Sequence, residues 1–193
     1  VNHKVIFDRI EAGTYMIASA ITNGNLKIKN INPTIISSEI SLLQKMGVKI
    51  IKKKNYLIVN FAKNLKSINI ETKPYPGFPT DLQAQLMVLM TKANGVSTIK
   101  ESIFENRFMH VSELRRMGAR IEIKGNKAKI FGKSKLNGAE LMATDLRASV
   151  SLVLAGLVAS NNTLINRIYH LDRGYEKIES KLSKCGAKIK RLQ

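Results

Sequence analysis

Two phrases of nearly the same composition stand in the chain, Pro-Thr-Asp-Leu-Gln-Ala-Gln at residues 79–85 and Ala-Thr-Asp-Leu-Arg-Ala-Ser at 143–149. Each sets an acid, Asp81 or Asp145, just ahead of an apolar run. A carboxylate at that point can cap the free N–H groups of a starting helix. Released from that duty, it can instead take the proton of a bound hydroxyl. Polar side chains are dense in four stretches: PYPGFPTDLQ (74–83), ENRFMH (105–110), ATDLRAS (143–149) and RIYHLDRGYE (167–176). All four precede or open an expected helix, where backbone N–H groups favour anions. Arg107, Arg147 and Arg173 fall in these stretches, and a guanidinium offers a planar fork to carboxylate or phosphate. If the stretches meet at one end of the fold, three guanidiniums converge on one dianionic ligand. On the residues alone the plainer alternative is at least as good: Asp81 and Asp145 as ordinary helix caps, and the arginines as surface ion-pair partners. Thr80 and Thr144 read as capping or local hydrogen-bonding residues. His110 and His170 lack metal-ligand spacing and read as structural.

The elements that must position these residues repeat. Segments 8–31, 80–102 and 144–168 each open with an acid, run about three helical turns, break at Gly24, Gly95 or Asn161–Asn162, and continue as a short strand. The helices expected near 82–93 and 146–159 are apolar on nearly every side, the mark of a helix buried all round. A second helix follows each, with its apolar residues on one stripe: Ile40, Leu43 and Met46; Val111, Leu114 and Met117; Ile178, Leu182 and Cys185. Each stops at a glycine expected to close the helix in the left-handed conformation. These are Gly47, Gly118 and Gly186, spaced 71 and 68 residues apart. Strands are expected at VKII, ARIEI and AKIK directly after them, with hairpin partners in the first two units (one turning on Gly125-Asn126) and a further strand at SINIE. The unit is therefore roughly strand, buried helix, strand, amphipathic helix, strand, strand. Three such units imply an α/β domain of approximate threefold symmetry, with the buried helices central. The third unit stops at IKRLQ without a hairpin, and the chain opens VNHKVIFDRI partway into an element. Both ends point to a piece of a longer protein whose upstream strands complete the fold. On the stripe, Cys185 is expected to be a buried, unreactive core residue.

Composition narrows the function. Residues 1–193 suit one domain with a sizeable core, and 44% hydrophobic content excludes a disordered tail. No apolar run reaches the 18 or so residues of a membrane span, and no cleavable signal opens the chain. A single cysteine allows no internal disulfide, which fits a cytoplasmic location. The net charge of +18 raises the possibility of nucleic acid. Against it, the lysines are scattered through expected strand edges and turns, aromatics are only 6%, and no RNP-like or zinc-finger pattern is present. A positive field also steers small anionic substrates.

In order and spacing, FDRIEAGTY, FPTDLQAQ, FENRFMHVSELRRMGA, ATDLRASVSLVLAG and IYHLDRGYEKIE resemble the C-terminal part of the UDP-N-acetylglucosamine enolpyruvyl transferases, the 1-carboxyvinyltransferases of peptidoglycan synthesis. The resemblance covers nearly the whole chain. It implies an inside-out α/β barrel of βαβαββ repeats, one of two similar domains, the N-terminal one lying outside this sequence. It also implies transfer of the enolpyruvyl group of phosphoenolpyruvate to the sugar's 3-hydroxyl with release of phosphate, and no cofactor or metal. Asp81 is similar to the family's candidate base, which contacts the 3-hydroxyl. Ile103 matches a contact to the UDP-sugar, and Arg107, Arg147 and Arg173 match arginines of the phosphoenolpyruvate site. Asp145 matches a carboxylate beside the reacting carbons. The family's catalytic cysteine belongs to a loop of the other domain, so the present residues alone are expected to be inactive. The sister activity on shikimate 3-phosphate shares the fold, but ENRFMH and DLRAS favour the amino-sugar acceptor. A basic nucleic-acid-binding module is the alternative from outside the family.

Overall fold

Asp8 accepts the backbone N–H groups of Ile10 (2.7 Å) and Glu11 (3.0 Å), and the chain enters its first helix, α1 (Arg9–Ile21). The computed structural model describes residues 1–3 and 5–192. After α1 come β1 (Leu26–Lys29), α2 (Ser37–Lys45) and the hairpin β2 (Lys49–Lys53) and β3 (Tyr56–Asn60), which form an antiparallel sheet in the order β1-β3-β2. The chain then crosses into β4 (Asn69–Glu71), a 3₁₀ turn over Thr80–Leu82, α3 (Gln83–Met90), β5 (Val96–Lys100), α4 (His110–Arg116), β6 (Arg120–Lys124) and β7 (Lys127–Phe131). These strands make a mixed sheet in the order β4-β5-β7-β6, with β4 and β5 parallel. The last segment supplies β8 (Glu140–Met142), α5 (Leu146–Gly156), β9 (Leu164–Asn166), α6 (Tyr169–Asp172) and α7 (Ile178–Lys184), with β8 and β9 paired in parallel.

The middle unit, β4-α3-β5-α4-β6-β7, carries the full strand-helix-strand-helix-strand-strand order expected from the sequence. Its neighbours are partial. Among the described residues no strand precedes α1, and none follows α7. The junctions between units repeat too. Lys66 donates its N–H to the Met46 carbonyl (2.9 Å) and Asn94 to that of Leu65 (2.7 Å); the next junction pairs Asn137 with Met117 (2.8 Å) and Ser160 with Leu136 (2.8 Å). Beside these junctions the backbones come closer still at two glycines. A Cβ on Gly132 would lie 1.8 Å from the Ala93 carbonyl oxygen, and one on Gly138 2.1 Å from that of Asn162.

The core lies on the central helices. Every residue of α3 is buried, as is α5 from Ala148 to Ala155, and α3 packs against both α1 and α5. A helix with no solvent face is stable only where neighbours cover its whole girth, and the sheets and outer helices do that here. The outer helices end as expected at Gly47, Gly118 and Gly186, with φ of 97°, 96° and 96°. Lys49, Lys52, Lys53 and Lys54 of the first hairpin face solvent, and no helix among the described residues is long and apolar enough to cross a membrane.

Two expectations fail in the third unit. Residues 187–190 (AKIK) form no strand, having no neighbour among the described residues to pair with. Cys185 is exposed, whereas Met46 and Met117, its counterparts, are fully buried. The cause is cover: β2 and β6 pack against α2 and α4 in the first two units, and α7 has no such hairpin among the described residues. Helical spacing gives the inward stripe but not whether anything lies over it. Cys185 in the folded 193-residue protein should therefore react with a thiol reagent about as fast as in denaturant; strong protection under native conditions would contradict the exposure.

Candidate active site

Asp81 and Asp145 occupy the same phrase and do different things. Asp145 sits in extended conformation and caps α5, accepting the N–H groups of Arg147 (2.7 Å) and Ala148 (2.8 Å). Such a cap contributes on the order of 1 kcal/mol. Asp81 caps nothing. It is the middle residue of the 3₁₀ turn, and its carboxylate projects between two arginines, Oδ1 accepting from Arg107 at 2.7 Å and Oδ2 from Arg147 at 3.1 Å. Arg107 comes from the loop between β5 and α4, and Arg147 from the first turn of α5, so the clasp joins the second unit to the third. Both guanidiniums are mostly shielded, with side-chain exposures of 18% and 16% against 37% for Asp81. Partial desolvation strengthens such charge-assisted bonds beyond their surface value.

An aromatic ring lies near each arginine. The Phe104 ring lies 4.9 Å from the Arg107 guanidinium and that of Tyr175 5.9 Å from Arg147. Tyr175 is itself buried, and its hydroxyl meets Thr14 of α1 at 2.9 Å. The Gln85 amide N–H₂ reaches Thr14 (3.2 Å), the Tyr175 hydroxyl (3.3 Å) and the Asp81 backbone carbonyl (3.0 Å). Burial raises the Tyr175 pKa, outweighing the Thr14 hydrogen bond and the nearby Arg147 charge, so the hydroxyl stays protonated. This polar knot fixes the backbone beneath Asp81 to the central helices. None of its members was singled out from the sequence. The available signal was Gln85 in an otherwise largely apolar helix, where a glutamine calls for a buried partner.

Thr80 also departs from expectation: its hydroxyl makes no local bond but donates to Glu101 Oε2, 21 residues away, at 2.9 Å. Ile103 is partly exposed and lines an open cleft of about 780 Å³ with Phe104, Arg107 and residues of the β6–β7 turn. Arg173 is exposed at the end of α6, with no ion pair among the described residues. The next residue, Gly174, packs so closely on Leu146 that a Cβ would meet its side chain at 2.7 Å. That contact places the backbone next to Arg173 against Leu146 at the start of α5, and Arg173 does not join the clasp. Among the described residues no group of three or more His, Cys, Asp or Glu could hold a metal ion.

A carboxylate between two cations at the start of a buried helix, with a third arginine at hand, is an arrangement suited to a small, multiply charged anion. The fold carrying it is that of the enolpyruvyl transferases. It superposes on the enolpyruvyl transferase NikO from Streptomyces tendae with a TM-score of 0.88 at 29% identity, covering 96% of this chain and 44% of that one. EPSP synthase from Acinetobacter baumannii shares the fold at 18% identity and a TM-score of 0.82, covering 98% and 48%. The chain belongs to the family of EPSP synthase (3-phosphoshikimate 1-carboxyvinyltransferase), whose family model matches residues 1–182. Its curated relatives include UDP-N-acetylglucosamine 1-carboxyvinyltransferases from Pelagibacter ubique, 65% identical over 192 residues, and Geotalea daltonii, 58% identical over 193. In both cases the match takes in 100% of this chain and 46% of the relative, so the chain spans about half the length of the curated relatives it matches.

His110 opens α4 beside this cluster, 2% exposed, its Nε2 without a hydrogen-bond partner among the described residues. Burial drives its pKa from 6.5 down to about 4, with Arg107 pulling the same way and Asp145 opposing. A histidine whose folded pKa lies below its unfolded one favours folding fully above the unfolded value, and that stability is lost as pH falls toward the folded value. Denaturant unfolding should therefore show a stability loss between about pH 6.5 and 4, part of which His110→Phe removes. An unchanged acid limb in that variant would show that His110 does not titrate as its burial requires.

Proposed function

We propose that these residues form one half of an enolpyruvyl transfer site, moving the enolpyruvyl group of phosphoenolpyruvate to the 3-hydroxyl of UDP-N-acetylglucosamine and releasing phosphate. In a bacterial cell this is the first committed step toward peptidoglycan, carried out in the cytoplasm without a cofactor. Residues 1–193 belong on this reading to one enolpyruvyl transferase domain, an inside-out barrel completed by upstream strands and facing a second, N-terminal domain across the substrates. The single observation that carries it is the Asp81 clasp. The names of the relatives supply the substrates.

The chemistry follows from charge. Phosphoenolpyruvate brings a phosphate and a carboxylate, and Arg107, Arg147 and Arg173 offer three cations to meet them. As the ligand's anions take up the guanidiniums, Asp81 loses its own cationic partners. Its two oxygens, freed of the guanidinium hydrogen bonds, are then placed to accept the proton of the sugar hydroxyl. The hydroxyl oxygen bonds to C2 while C3 takes a proton from an acid. In the second stage the C2–O bond to phosphate breaks and C3 gives a proton up, restoring the vinyl group. Asp145, held rigid as the α5 cap, presents a fixed negative charge near the carbons that pass through cationic character. Ile103 offers an apolar contact to the UDP-sugar in the adjoining cleft.

In the full-length protein, Asp81→Asn should lower kcat by on the order of 10²–10⁴-fold and change KM far less, because the lost interaction is made in the transition state. Phosphate release with UDP-N-acetylglucosamine as acceptor is the assay, with shikimate 3-phosphate in parallel. Full activity of the variant, or preference for the shikimate acceptor, would overturn the reading. The isolated 193 residues contribute a base and three cations but no acid assigned to C3, so on their own they should show no turnover. Robust phosphate release from them would place the acid within these residues and refute the division of the site.

A further inference from the structure

Glu101 follows β5 and is 3% exposed, yet no cation pairs with it among the described residues. A buried carboxylate is tolerated only when hydrogen-bond donors replace its water, and four do so. Oε1 accepts the Thr72 hydroxyl at 2.7 Å and the backbone N–H groups of Ile103 and Phe104 at 2.9 and 3.1 Å; Oε2 accepts the Thr80 hydroxyl at 2.9 Å. Thr72 lies just past β4, so the carboxylate also pins the parallel β4–β5 pair at its end.

The identity of those donors matters more than their number. Thr80 is the residue before Asp81. Phe104 is the ring against Arg107, and Ile103 lines the cleft beside it. One side chain therefore fixes the turn that carries the carboxylate of the clasp and the loop that carries its arginine. Asp81 and Arg107 are 26 residues apart, on separate surface segments, and no regular element holds both. We infer that Glu101 is a positioning residue for the transfer reaction, setting the Asp81–Arg107 geometry through Thr80 and the 103–104 turn and the sugar-facing surface through Ile103. The inference rests on the proposed function of that site.

The two arms can be cut separately in the full-length protein. Thr80→Val removes only the link to Asp81 and should lower kcat about tenfold, with KM for UDP-N-acetylglucosamine unchanged. Glu101→Ala releases both arms and should lower kcat/KM on the order of 10²-fold, the scale of a misplacement of about 1 Å, with kcat falling and the UDP-N-acetylglucosamine KM rising. Glu101→Gln keeps one oxygen for the three donors and turns an N–H toward Thr80, whose hydroxyl can accept it; it should recover activity to within about fivefold of the parent. A merely structural role would lower Tm while leaving kcat and KM of the folded protein intact, and that result overturns the inference. So would a Gln variant as impaired as Ala. If Glu101→Ala does not fold, Thr80→Val and Glu101→Gln decide alone. Asp81→Asn serves as the control: its loss of activity beside an unaffected Thr80→Val sinks the positioning role only, whereas an active Asp81→Asn protein sinks the site and the inference with it.

Discussion

Asp81 lies between Arg107 and Arg147 because three separate pieces of the fold are each held in place by something buried. The 3₁₀ turn under Asp81 is tied through Gln85 to Thr14 and Tyr175 at the centre of the molecule. The loop bearing Arg107 is tied through the backbone N–H groups of Ile103 and Phe104 to the buried Glu101 carboxylate, and Arg147 is carried on the first turn of an otherwise buried helix. Two cations and one anion in partly desolvated surroundings are worth assembling only if the excess positive charge is used, since left alone it costs solvation without full pairing. The rest of the structure reads as the means of keeping that excess in one place. Central helices with no solvent face cannot tilt or slide without opening the core, so the residues at their starts inherit that rigidity.

The repeat explains how one phrase came to serve different ends. Asp8 and Asp145 cap their helices with the same pair of hydrogen bonds, to the second and third residues onward. At Asp81 the start of the helix is drawn into a tighter turn, and Thr80 is pulled away to a distant carboxylate. The capping duty lapses, and the acid is left for ionic partners. Capping in two units gives way to ion pairing with Arg107 and Arg147 in the unit between them. This is function residing in a site grafted on a fold rather than in the fold itself.

Much of this was legible in the residues. All-round apolarity marked buried helices near 82–93 and 146–159, found at Gln83–Met90 and Leu146–Gly156, and the glycines at 47, 118 and 186 marked the ends of the outer ones, because both signals are local and carry one meaning. The arginines could be nominated from their neighbourhood, and two of them meet on Asp81. What stayed hidden depends on contacts far apart in sequence. Thr14, Gln85 and Tyr175 come from three segments, and nothing in their spacing says that they meet. Nothing in the spacing of Glu101 announces the four donors, from Thr72, Thr80, Ile103 and Phe104, that surround its carboxylate. Cys185 misled for the opposite reason: its periodicity matches that of Met46 and Met117, but burial also needs a covering layer, and helical spacing does not report one. Arg173 stands near the cluster without entering it, although its stretch looks much like the others.

The central claim is that the Asp81 clasp exchanges its internal partners for substrate. A crystal structure of the full-length protein with UDP-N-acetylglucosamine and phosphoenolpyruvate, or an unreactive analogue of it, tests this most directly. The account predicts that Arg107 and Arg147 turn from Asp81 to the ligand's phosphate and carboxylate, and that an Asp81 carboxylate oxygen lies within hydrogen-bond distance of the sugar 3-hydroxyl. Both ligands bound elsewhere, with Asp81 still held at its present distances of 2.7 and 3.1 Å from the two arginines, would contradict it.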